Sequence, residues 1–370
     1  MVVRDVGFRY ADLFCTVIFF YLCAMELVKL YTHESINHVT RKRSEERKIG
    51  ESVLTLSGNW KKDLLTTGAK FVVIGIAEDM GVRANYGRGG AHSAFKPALE
   101  SFLNQQCNQF LKGETICVLG EVKVDDLMER AMNLNPKKEE DILRLREFVY
   151  EVDKRVSEVV RLIVLSGKIP VIIGGGHNNS FGNIKGASLA LDKKINVINC
   201  DPHLDFRPLE GRHSGNGFSY AYENNFLEKY SVFGMHEQYN TDWALKTFRE
   251  NPSQLFYNTY ESIFVREEKD FKTALHQSIG FVKGGPCGIE IDLDAITNVP
   301  SSAKTSSGIS PIQARQFIYT SAKELNTIYL HIAEGAPILS HIKADNKTGK
   351  LIAYLMTDFI KGISAKGATD

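Results

Sequence analysis

Seven short, almost continuously apolar runs constrain this chain more than any other feature. They span 71–76 (FVVIGI), 116–122 (ICVLGEV), 170–174 (PVIIG), 195–200 (INVINC), 230–234 (YSVFG), 288–293 (GIEIDL) and 328–333 (IYLHIA). Runs of this length without polar alternation read as strands covered on both faces. Helical periodicity fills most of the intervals, at about 93–106, 138–166, 181–191, 241–250, 262–279, 311–325 and 349–362. Strand and helix in regular alternation predict an α/β fold, a parallel sheet with helices on both sides. The segment 138–166 carries apolar residues at i, i+3, i+4 and i+7, so it reads as a scaffold helix with a solvated charged face. With no repeat and no Pro/Gly/Ser linker, the 370 residues fit one α/β domain with an N-terminal appendage better than two domains.

Composition narrows the function classes. Lys+Arg is 45 and Asp+Glu is 44, a net charge of +1, so bulk electrostatics favour neither nucleic acid nor an anionic membrane as partner. The six cysteines (Cys15, Cys23, Cys107, Cys117, Cys200, Cys287) form no CxxC pair and no zinc spacing, and read as reduced thiols. One anomaly is the apolar run from Leu13 to Met25. It is shorter than the ~20 residues of a spanning helix, and no small-residue cleavage site follows it. The expectation is a cytoplasmic protein in which residues 1–24 are a dispensable extension or a mis-assigned start before Met25; a signal segment is the alternative.

Chemistry concentrates where ligands bind in open parallel sheets, at the carboxyl ends of the strands. GGGHNNSFG (174–182) follows one apolar run, DPHLDFR (201–207) follows another, and EIDLD (290–294) closes a third. Asp201, His203 and Asp205 alternate, as do Asp292 and Asp294, so each set points to one side of an extended segment. With His177 they supply two imidazoles and four carboxylates. Taken singly, a histidine after glycines packs or caps, and a lone DxD is a solvated turn. The glycine run lacks the Lys-Ser/Thr of a phosphate loop. Four carboxylates together repel unless cations lie between them, and mixed N/O ligands suit hard or borderline divalent ions such as Mn2+. The combination therefore predicts a binuclear metal site.

GGGH, DPHLD and EIDLD, in this order and spacing, resemble the ureohydrolases: arginase, agmatinase and formimidoylglutamase. The resemblance covers about residues 65–360. It implies a three-layer α/β/α fold with a parallel sheet of about eight strands, residues 25–64 as an N-terminal arm and 65–370 as the catalytic domain. It further implies two Mn2+ bridged by a hydroxide, with Ni2+ as an alternative metal, and a homo-oligomer. The implied metal ligands are His177, Asp201, His203, Asp205, Asp292 and Asp294. Glu290 stands where the arginase pattern has serine. Glu334 resembles the glutamate that binds the amidine or guanidinium end of the substrate; an N-cap or surface carboxylate is the alternative. Asp205 is implied as a catalytic residue, and Asp205 or His213 as the proton donor.

Phe218 occupies the place of the arginase proton-transfer histidine, and no acidic segment for an α-amine is recognisable in 234–239. DFRP with Arg207, SGNGF with Asn216, and GVRANYGRGGA with Arg83 and Arg88 instead resemble formimidoylglutamases. Arginine is suited to bidentate carboxylate binding, which fits a substrate with two carboxylates. Arg207, Arg88, Arg83 and Asn216 are thus expected substrate-binding residues, with loop anchoring the alternative for Arg83 and Arg88. The expected reaction is hydrolysis of N-formimidoyl-L-glutamate to L-glutamate and formamide. A guanidino hydrolase releasing urea and a non-catalytic family member are the alternatives.

Overall fold

The computed structural model describes residues 26–340 and 346–366; the apolar run at Leu13–Met25 lies outside them. Among the described residues nine strands form one sheet: β1 (Val28–Leu30), β2 (Phe71–Gly75), β3 (Ile116–Val122), β4 (Ile169–Ile173), β5 (Ile195–Cys200), β6 (Leu227–Met235), β7 (Leu255–Thr259), β8 (Pro286–Asp292) and β9 (Asn326–Ala333). Their spatial order is β1-β3-β2-β4-β9-β8-β5-β6-β7. Eight strands pair in parallel, and β1 joins β3 antiparallel with Val28 opposite Val122.

Helices cover both faces. Among them are α1 (Phe95–Leu103), α2 (Glu139–Leu165), α3 (Asn179–Leu191), α4 (Gly217–Glu223), α5 (Phe271–Val282), α6 (Pro311–Glu324) and α7 (Lys347–Ala365). Successive strand residues face opposite sides, so the sheet feeds two separate cores. Val73, Val171, Ile173, Ile289 and Ile291 pack with α1, α5, α6 and α7. Val72, Ile74, Ile172, Val197 and Val232 pack with α2 and α3. The expected three-layer architecture is present, and residues 26–64 are built into it. Ile36, Ile49 and Val53 are buried in the first core, and Leu27, Trp60 and Leu64 in the second.

Two strands escape the apolar-run signal. β1 is only three residues long, and β7 (LFYNT) is a half-buried edge strand that includes Asn258. The helix expected over 262–279 is divided. Glu261–Val265 forms a single π turn, and α5 begins only at Phe271. Asp270 marks the start because its Oδ1 accepts the Thr273 N–H at 2.7 Å, a side-chain cap that ends the preceding backbone course.

Order matters more than strand count for function. The chain leaves β4, places β5 three positions away, and later inserts β9 and β8 between them. The carboxyl ends of β4, β9, β8 and β5 therefore lie side by side at the centre of the sheet, where such folds bind ligands.

Candidate active site

The loop after β4 carries His177 and is held by a carboxylate beneath it. Glu78, beyond the end of β2, has no exposed surface. It accepts N–H groups from Met80 (2.7 Å), Gly176 (3.1 Å), Asn178 Nδ2 (3.1 Å) and Asn179 Nδ2 (2.7 Å). Gly175 has φ +72°, and a Cβ there would lie 2.3 Å from Asn179 Nδ2, so only glycine fits. Arg212 adds a second anchor. It donates to the Asn178 carbonyl at 2.8 Å while paired with buried Asp153 of α2 at 2.8 Å. The sequence reading missed Glu78, although it follows an apolar run as the other site residues do.

The six expected ligands converge. Atoms of His177, Asp201, Asp205 and Asp292 lie within 4.8 Å of one another, and Asp201, His203 and Asp294 form a second such group. Asp201 belongs to both, which is the arrangement of a bridging carboxylate. His177 Nδ1 stands 3.0 Å from Asp201, 3.1 Å from Asp205 and 3.3 Å from Asp292, yet neither ring nitrogen has a partner in hydrogen-bond geometry. Asp294 Oδ1 is likewise buried without a partner. Buried polar atoms left this way call for an ion, so the donor set fits two divalent cations. Asp205 sits at φ 45° and Glu334 at φ 63°, uncommon backbone for side chains and typical of functional sites.

Electrostatics agree with a site made for cations. Burial, then Asp201, pushes Asp205 up to about 6 in the metal-free protein. Burial, then Asp292 and Asp201, raises Asp294 well above the carboxylate range. For Asp201 burial acts upward, but the adjacent His177 and His203 rings outweigh it and bring the group down to about 2. For His203 burial acts downward, but the Asp201 contact outweighs it and lifts the ring to about 9. A metal must therefore displace a proton from His203 below about pH 9. Apparent metal affinity is expected to fall as pH drops from 9 towards 6, by up to ~10-fold per unit for that proton. Calorimetry in two buffers of different ionisation enthalpy would read the released proton; identical heats would contradict the expectation.

His203, Asp205, Asp292 and Asp294 line a cavity of about 330 Å³, whereas His177 and Asp201 are fully buried and do not. Glu334 also lines it and is 6% exposed. Its Oε1 accepts the His177 N–H at 2.9 Å, and burial and Asp292 raise its carboxyl well above the ordinary range. Arg207 lines the wall, with its side chain about half exposed (49%) and Glu210 3.9 Å away.

The other expected substrate residues do not reach this wall. Arg83 donates to the carbonyls of Ala131 (2.8 Å) and Leu134 (2.7 Å), and Arg88 to that of Ser302 (2.9 Å). Both forks anchor loops. Asn216 is fully buried, accepts from Arg212 and the His213 N–H (3.0 Å), and donates to the Gly211 carbonyl at 2.8 Å. His213 is also fully buried, with Nδ1 accepting from Gly215 N–H at 3.1 Å and Nε2 3.0 Å from Glu210. Burial, then Arg146, Arg212 and Arg207, pull it down to about 3, so the ring is neutral near pH 7. The structure thus leaves Asp205 as the proton-transfer candidate at the cavity. Phe218 supports rather than reacts: its ring meets His177 edge-on at 5.2 Å and stacks on Tyr230 at 4.2 Å.

Asn85, Ser214, Tyr239, Thr241 and Ser302 complete the wall and were not singled out in the sequence. Asn85 and Ser214 lie inside the GVRANYGRGGA and SGNGF segments, whereas Thr241 and Ser302 belong to no motif, and only folding brings the five together. Tyr239 stacks on the His203 ring at 5.7 Å.

The strand-end ligands fall inside a stretch, residues 69–361, that matches the model of the Arginase family. The chain belongs to that family. The formimidoylglutamase of Macrococcus caseolyticus is 26% identical over 290 residues, 77% of this chain and 82% of that protein. The formimidoylglutamase of Streptococcus gordonii is 26% identical over 301 residues, covering 78% and 84%. Among solved structures, the Trypanosoma cruzi formiminoglutamase with Mn2+ superposes with a TM-score of 0.67 at 20% identity, covering 87% of this chain and 100% of that one. The Bacillus subtilis formimidoylglutamase gives 0.70 at 16% identity, covering 88% and 95%. At these identities the structural likeness shows a shared arginase-family fold.

Proposed function

We propose that this arginase-family protein is a binuclear-metal hydrolase of a linear amidine, converting N-formimidoyl-L-glutamate and water to L-glutamate and formamide. The observation that carries the reading is the convergence of the six ligands on one another, four of them (His203, Asp205, Asp292 and Asp294) lining one cavity with Glu334 and Arg207. The names of the relatives and the Mn2+ in the Trypanosoma cruzi structure support the substrate and the metal; Ni2+ is the alternative metal.

Bound divalent ions supply Lewis acidity and activate water near neutral pH. His177, Asp201, Asp205 and Asp292 would hold one ion, and Asp201, His203 and Asp294 the other. Glu334, fixed at one oxygen by the His177 N–H, turns its carboxylate to the amidine nitrogens and orients the electrophilic carbon. Asp205 accepts the proton of the attacking water and returns it to the leaving glutamate nitrogen. Arg207 binds a substrate carboxylate through a charge-assisted hydrogen bond. We place the enzyme in the cytosol as a homo-oligomer. Free thiols at Cys107, Cys117, Cys200 and Cys287 support the reducing compartment, and the family resemblance supports the assembly.

A Mn2+-loaded panel of formimidoylglutamate, arginine, agmatine and guanidinobutyrate, assayed separately for formamide and urea, tests the reading. Formamide from the first substrate alone is expected; urea from a guanidino compound, with no formamide, would reassign the enzyme. Arg207→Ala is expected to raise KM for formimidoylglutamate by about 10–100-fold, the loss of one charge-assisted bond, with metal content unchanged.

A further inference from the structure

Glu290, in β8, is a carboxylate with no exposed surface. It does not line the cavity, and the mechanism above makes no use of it. A buried carboxylate is strongly destabilising unless its oxygens are engaged, so its partners disclose its role. Tyr329 donates its hydroxyl to Oε1 at 2.7 Å, and His331 Nδ1 stands 2.6 Å from Oε2. Both come from β9, where alternate residues share a face, and the β8–β9 register sets Glu290 opposite His331. The far nitrogen of His331 lies 3.3 Å from the carbonyl of Gly174, in the loop that carries His177. The third neighbour of Glu290 is His177 itself, whose Nε2 is 3.3 Å from Oε2. The opposite edge of that ring, at Nδ1, faces Asp201, Asp205 and Asp292.

We propose that Glu290, pinned by Tyr329 and His331, is a positioning residue for the metal centre: it receives the Nε2–H of His177 and so presents the Nδ1 lone pair to the ion. This rests on the metal-centre reading. A carboxylate behind a ligating imidazole fixes its tautomer and ring orientation and raises its basicity. The 3.3 Å contact is within reach of an N–H···O bond after a small ring rotation. His331 couples the same carboxylate to the loop backbone, so ring and loop are set by one group.

The test compares wild type, Glu290→Gln, His177→Ala and the double variant, each stripped of metal and titrated with Mn2+ or Co2+ against a competing chelator. The metal-free Tm of each is recorded alongside. Glu290→Gln is expected to weaken one of the two ions by about 10–100-fold. In the His177→Ala background the same change is expected to have no further effect on affinity, because the imidazole through which it acts is gone. A merely structural carboxylate would shift the Tm and leave the affinities alone. Affinities within threefold of wild type, or an equal loss with and without His177, would overturn the proposal. Should Glu290→Gln not fold, Tyr329→Phe frees one Glu290 oxygen and is judged by the same two criteria. A wild-type protein that binds no metal would remove the metal-centre reading itself, whereas two ions bound equally by wild type and Glu290→Gln remove only this inference.

Discussion

Asp201→Ala is expected to cost the protein both its metal and its turnover. Asp201 belongs to both ligand groups, so its loss strips a carboxylate from each at once. It also accepts the His203 N–H at 2.7 Å and the Asn199 side-chain N–H at 3.0 Å, so two neighbouring groups lose their partner. Turnover of formimidoylglutamate is expected to drop at least ~10³-fold, as when a member of a catalytic unit is removed. Asp201→Asn separates charge from shape: its carbonyl still accepts the His203 N–H, and it is expected to lose the metal as well. Elemental analysis beside a formamide assay reads both outcomes. Either variant retaining two ions and wild-type turnover would refute the binuclear centre.

The second large effect is expected at Glu334, with the opposite signature. Glu334→Gln keeps an oxygen for the His177 N–H, so the loop that carries His177 is expected to hold its course. What disappears is the negative charge that a cationic amidine would stabilise on this carboxyl against its burial. Removing one partner of a buried, hydrogen-bonded charge pair typically costs about 3–5 kcal/mol, or ~10²–10⁴-fold in kcat/KM. Metal content is expected to stay at the wild-type level. Loss of turnover with the ions retained would place Glu334 at the substrate, loss of both would place it in the metal shell, and unchanged turnover would leave it a loop anchor only.

Much of the architecture was legible because buried parallel strands have a local signature. Seven apolar runs marked seven strands, and the long amphipathic segment is α2, Glu139–Leu165. β1 and β7 were not legible, since a three-residue edge strand and a half-buried one lack that signature. The break before α5 depends on one capping side chain, Asp270, inside a stretch with helical periodicity. Among site residues, those in compact motifs at strand ends could be read directly. The substrate wall could not. Arg83, Arg88 and Arg207 look alike in sequence, and only the path of each loop sends two of them to backbone carbonyls and one to the cavity.

Legible in the sequence alone was a donor set: two imidazoles and four carboxylates, each group set beside an apolar strand, with spacings that point side chains to one side. Those are local properties, governed by the two-residue repeat of a strand and by the repulsion among carboxylates that an ion must offset. Tertiary structure decided which ligands meet. β8 and β9 enter the sheet between β4 and β5, and that insertion brings His177 and Asp201 to Asp292 and Glu334, more than a hundred residues further along the chain for His177. It also decided the roles of Glu78, Glu290 and His213. Each is a polar side chain withdrawn from water, and its function follows from the partners that make its burial tolerable.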